Sequence, residues 1–442
     1  MGFNLTIADK IKQIRLAQGL KITPLAELAR IGPKRISAAE NGKGEYTKKQ
    51  FHALQVALDI LGLPLMDSER PAWEERFYAV RDYARDGTPE SLTKAKALHK
   101  NMAKIVNLEP CDFNLVALYR AMDVYISLAA GDIKAVEAKL DFFQSNFDKM
   151  DNANRYHYYG TSGSLAVMQN RHEDALKLYL KALKLTENHD NILPEEDERL
   201  YHNIAMCYSY LEFPHRAISF ALKAKDIYPK IRTSTFCFHI DIILGLNRSK
   251  TGEVEEAIKI SEKCLVNAKA RNDNLSVGLA LYNLGYAYKK AEDWKTAIEH
   301  FDQALKYFEK DSGHFKSSLN QKSLCVVETR QFSIAEHMIN HARTANRANK
   351  LWAVYFEGLW HYLIVSRRIS ISNEESSKYI EEVAIPYFFR NHDYFGALDY
   401  CKLLFRHYEK ILNKSKASAM KCLMYDICDR CIMNGNSWRW PD

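Results

Sequence analysis

Alanine recurs at a nearly fixed interval through the middle of the chain, and in most cases a large apolar residue follows it. The six members are Ala135, Ala175, Ala217, Ala257, Ala297 and Ala335. The interval is about 40 residues. A period of this length is typical of stacked helical pairs, each of which buries its apolar side against its neighbours. The pattern therefore predicts an all-α solenoid of helical hairpins.

The clearest unit of this period covers residues 281–308. Gly285 is small enough to let two helices approach closely, and Tyr288 can pack across them. Three residues then share one side of the second helix at i, i+4 and i+7: Ala297, Phe301 and Ala304. This spacing resembles the tetratricopeptide signature.

Other segments repeat this unit. The matching positions in the 199–229 unit are Ala205, Tyr208, Ala217 and Ala224. Weaker copies cover 156–187, 236–268 and 316–347, and an earlier hairpin is expected at 115–147. The last part, 352–433, also has the pattern of helical pairs and carries a polar insertion at 366–378. We expect seven to nine hairpins that wind into a right-handed superhelix.

The N-terminal segment, residues 1–66, has a shorter helical pattern. The apolar side of a first helix consists of Ile7, Ile11 and Ile14, and Gly19 ends it. Thr23-Pro24 predicts the start of a second helix, because a hydroxyl N-cap is often followed by proline. The apolar side of that helix is predicted to be Leu25, Leu28 and Ala29.

A third helix is predicted at 34–40, between the break at Gly32-Pro33 and the stop at Asn41-Gly42. The apolar segment 51–61 then closes the bundle. Two short helices joined by a tight turn are typical of the helix-turn-helix, whose second helix enters the major groove of DNA. The alternative is a small helical bundle that contacts protein.

The segment ITPLAELARIGPKRISAAENGK resembles the phage-repressor (Xre/Cro) class of helix-turn-helix domains. The landmarks are Leu28-Ala29, Ile36-Ser37 and Glu40-Asn41-Gly42. The resemblance implies that four residues face base edges: Lys34, Arg35, Ser37 and Ala38. It implies that three others face phosphates: Thr23 at the start of the second helix, Asn41 and Lys43. Arginine and lysine can pair with guanine, and the remaining contacts set the register.

Charge is concentrated in this N-terminal part. Residues 1–66 carry ten Lys or Arg and five Asp or Glu, which is +5 of the formal net charge of +7. A polyanion is the natural partner of such a surface, and a simply solvated basic surface is the alternative. Charge therefore agrees with double-stranded DNA as a partner without requiring it.

Asparagines recur on the first helix of the hairpins. Asn203 and Asn283 stand at the same place in their units relative to the repeated alanine, and Asn320 is one position off that register. An asparagine amide both donates and accepts hydrogen bonds, so a ladder of them can hold an extended peptide on a concave face. Neighbouring side chains that could form pockets for the peptide are His202, Tyr282 and Tyr286. The alternative is that these amides bridge adjacent hairpins.

No catalytic constellation is evident in the sequence. It has no Gly-rich phosphate loop, no HExxH and no nucleophile elbow, and Cys428 and Cys431 form a single CxxC pair. We therefore expect no enzyme activity, metal or cofactor. The nine cysteines are scattered, and the sequence has neither an apolar signal core nor a run of about 18 apolar residues. These features predict a cytoplasmic protein with no membrane partner.

Together the two parts resemble the peptide-pheromone receptors of Gram-positive bacteria and their phages, the Rap, Rgg, NprR, PlcR and PrgX group. The length is similar to the NprR-type members, and residues 384–410 resemble the last hairpins of the group. The resemblance implies a homodimer that binds operator DNA and is switched by a short signalling peptide. An alternative within the group is a Rap-type phosphatase or scaffold that binds a response regulator through residues 70–150.

The domain organisation predicted from these features has three parts. Residues 1–66 form the DNA-binding domain, 67–110 form linker helices, and 111–442 form the repeat domain that binds the peptide and dimerises.

Overall fold

A computed structural model describes residues 7–58, 70–86, 88–105, 113–186, 194–227, 234–369 and 373–428. These residues form helices and turns and contain no strand, as the sequence predicts. The chain divides into two compact units, residues 1–192 and 193–442, and each is described separately. Among the described residues, no helix combines the length and apolarity needed to cross a membrane.

The first unit contains ten α-helices in its described residues. They are α1 (Ile7–Ala17), α2 (Ile22–Ala29), α3 (Pro33–Glu40), α4 (Lys48–Ala57), α5 (Arg70–Asp86), α6 (Pro89–Ile105), α7 (Phe113–Ala129), α8 (Ile133–Ser145), α9 (Asn152–Met168) and α10 (His172–Thr186).

The second unit continues with thirteen α-helices in its described residues. They are α11 (Pro194–Tyr210), α12 (Pro214–Ile227), α13 (Ser234–Thr251), α14 (Val254–Ala270), α15 (Asn274–Lys290), α16 (Trp294–Ala304), α17 (Gly313–Glu328), α18 (Phe332–Ala345), α19 (Lys350–Arg367), α20 (Glu374–Tyr379), α21 (Ile385–Arg390), α22 (Tyr394–Lys410) and α23 (Lys414–Asp426). A π-helical segment, Ile380–Ala384, joins α20 to α21.

Helices α1–α4 form a small bundle around an apolar core. The fully buried members of that core are Ile11, Leu25, Ile36 and Leu54. Two local predictions about α2 are wrong. Leu28 is 61% exposed, and the buried side of the helix is formed by Leu25, Ala26 and Ala29. The helix begins at Ile22 with Lys21 as its N-cap, so Thr23 lies inside the first turn and does not cap it.

A buried ion pair joins α1 to the end of α3. The Arg15 guanidinium donates to both carboxylate oxygens of Glu40, with Nε–Oε1 and Nη2–Oε2 distances of 2.8 and 2.6 Å. Both side chains are more than nine-tenths buried. Arg15 also donates to the Leu20 carbonyl, at 2.7 Å. This bidentate arrangement satisfies both charges and fixes the end of α3 against the core.

Helices α5 and α6 pack against each other and share a core with α7–α9. Members of this core from α5 include Phe77 and Val80, which lie with Met122 and Phe143 from the following helices. Hairpin packing therefore begins at residue 70, within the segment that the sequence assigned to linker helices. The predicted domain bounds remain a prediction.

The described residues contain nine helix pairs, from α5–α6 to α22–α23. In the second helices α8, α10, α12, α14, α16 and α18, the fourth residue after the N-cap is buried. Five of the six predicted alanines occupy this position and are fully buried: Ala175, Ala217, Ala257, Ala297 and Ala335. The prediction is wrong for Ala135, which is half-buried, because the N-cap is Asp132 and the fourth residue is the buried Val136.

The turn between the two helices of a hairpin has the same backbone conformation in several repeats. A residue with positive φ comes directly before the N-cap of the second helix, as at Glu212, Glu292 and Arg330, with φ of 61°, 60° and 59°. Such a residue turns the chain sharply, and the N-cap then starts the next helix. Glycine takes this place at Gly131 and Gly252.

Candidate functional site

An open groove lies on the exposed side of α3. Its lining residues are Ile22, Pro33, Lys34, Ser37, Ala38, Asn41 and Lys43. Five of the seven residues predicted to contact DNA are therefore brought together on one surface. Arg35 and Thr23 are exposed but do not line this groove.

The local sequence explains how the groove is built. Pro33 stands in the first turn of α3 after Gly32, where its fixed φ suits a helix start. Lys34, Ser37 and Asn41 then follow at helical spacing and share one face. The helix ends at Asn41, and Gly42 has a φ of +71° that reverses the chain. The Lys43 amide donates to the Ala38 carbonyl at 2.8 Å, which returns Lys43 to the same side.

Arg35 contacts the loop that follows α3. Its Nη2 donates to the Glu45 carbonyl oxygen at 2.5 Å, and its guanidinium lies against Gly44. The side chain therefore holds the loop after α3. Its assignment to base edges remains a prediction.

Ile22 lines the groove beside Lys34, although it is not among the residues predicted to contact DNA. The position of Ile22 in the groove could have been predicted from the helix starts, because a residue next to the N-cap of α2 lies close to the start of α3. The lining contains two lysines and no acidic residue. A cationic helix face with short polar and apolar side chains can bind phosphates and the edges of bases.

In the second unit, Asn283 lies between neighbouring hairpins. Its side chain is 2% exposed, and Nδ2 donates to the Ile242 carbonyl of α13 at 2.8 Å. This geometry corresponds to the bridging alternative for the asparagine ladder. The predicted contact of Asn283 with a peptide remains a prediction.

Replacing Asn283 with alanine is expected to lower the free energy of unfolding by about 0.5–1.5 kcal/mol, because the hydrogen bond that joins the neighbouring hairpins is lost. Chemical denaturation of the full chain measures this. Asn274→Ala is the matched control, since Asn274 is exposed at the start of the same helix. Equal stability of the two variants would show that the bridge contributes nothing.

His202 and Asn203 contact each other and form the second part of the predicted peptide surface. The His202 Nδ1 and Asn203 Oδ1 atoms are 3.2 Å apart, and the His202 ring lies 6.2 Å from that of His239. Burial lowers the pKa of His202 to about 4, and His239 adds to the effect. The ring is therefore neutral at neutral pH and acts through hydrogen bonding.

Tyr282 and Tyr286 are both on α15. The Tyr282 hydroxyl lies 3.1 Å from the Ser317 hydroxyl, and Tyr286 is buried with two lysine ammonium groups near its ring. Burial raises the pKa of both phenols. Asn320 is buried on α17, and its Oδ1 accepts no hydrogen bond from the described residues. The roles of all six residues toward a peptide remain predictions.

The structure also shows an ionic cluster that the sequence analysis missed. It lies where the first helices end, beside the start of α22. The members are Glu212, Lys250, Lys289, Lys290, Asp393 and Asp399. Lys250 Nζ lies 2.6 Å from Glu212 Oε2, and Lys289 Nζ lies 2.6 Å from Asp399 Oδ2. The lysines that recur at the ends of α13 and α15 are the sequence feature from which this cluster could have been predicted.

Burial is the largest single influence on the pKa of Glu212, Lys290 and Asp399. It raises the pKa of Glu212 to about 7, against the pull of Lys250, and lowers the pKa of Lys290 to about 8. Burial alone would also raise the pKa of Asp399, but Lys289 and Lys290 hold it below its usual value. These groups interact strongly because little water separates them.

The described residues offer no metal site: no three His, Cys, Asp or Glu side chains among them are grouped to hold an ion. Cys428 is described, whereas Cys431 lies outside the described residues. The described residues therefore include only one member of the CxxC pair.

Comparison with known proteins agrees with this architecture. The tetratricopeptide repeat family matches residues 239–310. The transcriptional activator NprA of Geobacillus stearothermophilus is 25% identical over 324 residues, which are 72% of this chain and 79% of NprA. Two solved structures share the fold. NprR with its cognate peptide NprX has a TM-score of 0.61 at 18% identity, covering 82% of this chain and all of that one. A Rap protein complexed with competence and sporulation factor has a TM-score of 0.65 at 14% identity, covering 82% and 98%.

The repeat match and the resemblance to NprA lead to one conclusion, and the shared fold agrees with it. The chain resembles the transcriptional activator NprA in sequence over 72% of its length, contains tetratricopeptide repeats, and shares its fold with NprR and a Rap protein.

Proposed function

We propose that this chain is a peptide-gated transcription regulator. Its α1–α4 bundle binds operator DNA, and its repeat array binds a short signalling peptide. The observation that carries the proposal is the cationic groove on α3, in a homologue of a transcriptional activator. We further propose that it acts as a homodimer in the cytoplasm, since paired half-sites suit a two-fold reader. No catalytic residue, metal or cofactor is assigned.

The chemistry of the groove supports DNA as the ligand. Lys34 and Lys43 are exposed and can neutralise phosphates, which supplies most of the affinity and makes it salt-dependent. Ser37 and Ala38 lie between them on the same face and are small enough to approach base edges. The buried Arg15–Glu40 pair holds the end of α3, so the face is presented with little freedom.

A peptide partner is supported by the homology and by the array. NprR has been solved with its cognate peptide, and stacked helical pairs offer a long surface on their first helices. Peptide binding would change the relation of successive hairpins and so the separation of two DNA-binding bundles in a dimer. A shift in that separation changes operator affinity.

The proposal is tested by fluorescence anisotropy with duplexes selected from a randomised DNA pool. Lys34→Ala with Lys43→Ala should weaken binding and reduce the slope of log K against log salt by roughly 2, one unit for each lost phosphate contact. The control is Lys177→Ala with Lys184→Ala on α10, a pair of equal charge. An unchanged salt slope in the groove variant, or no DNA binding at low salt, would refute the proposal.

A further inference from the structure

Helix α22 lies against the ends of first helices that come from several earlier hairpins. Its Asp399 pairs with Lys289 of α15, and its Arg406 pairs with Glu328 of α17 at 3.1 Å. Tyr394, its first residue, contacts Phe213, with ring centroids 6.2 Å apart. Contacts over such distances along the chain are unusual in an array where each repeat normally touches only its neighbours.

The surface beneath α22 is a row of three lysines: Lys250, Lys289 and Lys290. The Lys290 ammonium lies between two ring faces, 4.9 Å from the Phe395 centroid and 5.4 Å from that of Tyr286. Lys250 lies 5.5 Å from the Phe395 centroid, and Glu212 supplies its carboxylate. Lys289 takes its carboxylate from α22 itself.

Helix α22 therefore presents to the lysine row one aromatic ring and one carboxylate, one helical turn apart. Phe395 and Asp399 stand at i and i+4, so they share one face of the helix. Cations held on ring faces and in short ion pairs gain most when water is excluded. The start of α22 thus occupies the row as a ligand of complementary chemistry would.

We propose that the lysine row is the recognition site for an acidic, aromatic-bearing peptide, and that α22 is its intramolecular occupant. This rests on the proposed function and names the chemistry of its peptide. A peptide that carries a carboxylate near an aromatic ring competes with Phe395 and Asp399 for the three lysines. When it binds, the α22 contacts to α15 and to the end of α13 are released.

Competition of this kind lowers the apparent affinity of the peptide in proportion to the fraction of protein whose site is open. Loosening α22 should therefore tighten peptide binding. The matched probe is a synthetic copy of the occupant, residues 393–400 (DYFGALDY), labelled with fluorescein. Its charge-neutral partner is NYFGALNY, with both aspartates replaced by asparagine.

The experiment measures binding of both probes to the full chain by anisotropy. Asp399→Asn should bind DYFGALDY about tenfold more tightly than the wild type does, and NYFGALNY should bind either protein about tenfold more weakly than DYFGALDY. Adding Lys289→Met to Asp399→Asn should remove the gain. Equal affinity of wild type and Asp399→Asn for DYFGALDY, or equal affinity for the two probes, would overturn the proposal.

A second measurement uses the unaltered protein, in case the variants fold poorly. Saturating DYFGALDY should speed hydrogen exchange at the amides of residues 394–400, while those of α14 stay unchanged. Protection of 394–400 that does not change under saturation contradicts displacement of α22. Neither readout involves DNA, so failure here is distinct from failure of the DNA-binding proposal.

Discussion

Replacing Arg15 with methionine is expected to destabilise the α1–α4 bundle by about 3–5 kcal/mol. The substitution leaves the Glu40 carboxylate buried without its bidentate partner, and an uncompensated buried charge is among the most costly defects a protein can carry. Hydrogen exchange of residues 7–58 in the full chain measures the change in this bundle alone.

The double variant Arg15→Met with Glu40→Leu separates the ion pair from the space it fills. Replacing both charges by apolar groups of similar volume is often neutral or stabilising, so stability should largely return. Arg30→Met is the matched control, because the Arg30 side chain is exposed in the same bundle. Should the single and double variants lose equal stability, the cost lies in packing and the charge argument is wrong.

Phe301→Ala should be the second most damaging change, at about 3–5 kcal/mol, because this ring is fully buried between α15 and α16. It packs on Gly285, where a Cβ atom would lie 2.9 Å from the ring. Gly285→Ala should therefore cost about 1–3 kcal/mol by overpacking.

The two changes together should cost less than their sum, because the added methyl group enters the space that the ring leaves. Denaturant unfolding of the full chain provides the four stabilities of this cycle, with Val266→Ala as a control at an exposed apolar position. Strict additivity would mean that Gly285 does not carry the contact with Phe301.

The sequence predicted the repeat array well because small residues at a fixed interval are what close helix packing requires. It failed at Ala135 because the repeat is counted from the N-cap, and Asp132 sets that cap one residue later than the period suggests. It failed at Leu28 because three apolar residues on a short helix do not reveal which of them faces the core. In both cases the error was one of register and the type of element was correct.

The groove on α3 was also predicted in part from the sequence. Residues of α3 at helical spacing share the groove because one turn separates them, and that follows from sequence. Arg35 is on the same helix, but it donates a hydrogen bond to the Glu45 carbonyl oxygen. No local sequence pattern predicts that contact. The contacts of the lysine row also could not be predicted from a local pattern, because Lys289 and its partner Asp399 are 110 residues apart in the sequence.

That last separation has a consequence for how residues 193–442 acquire their structure. An open row of hairpins has low contact order, so it can fold quickly from any point and fray from its ends. A pairing across 110 residues adds a loop-closure step that local helix formation cannot complete. Once closed, the pairing couples distant hairpins, so they should unfold in one cooperative transition instead of repeat by repeat.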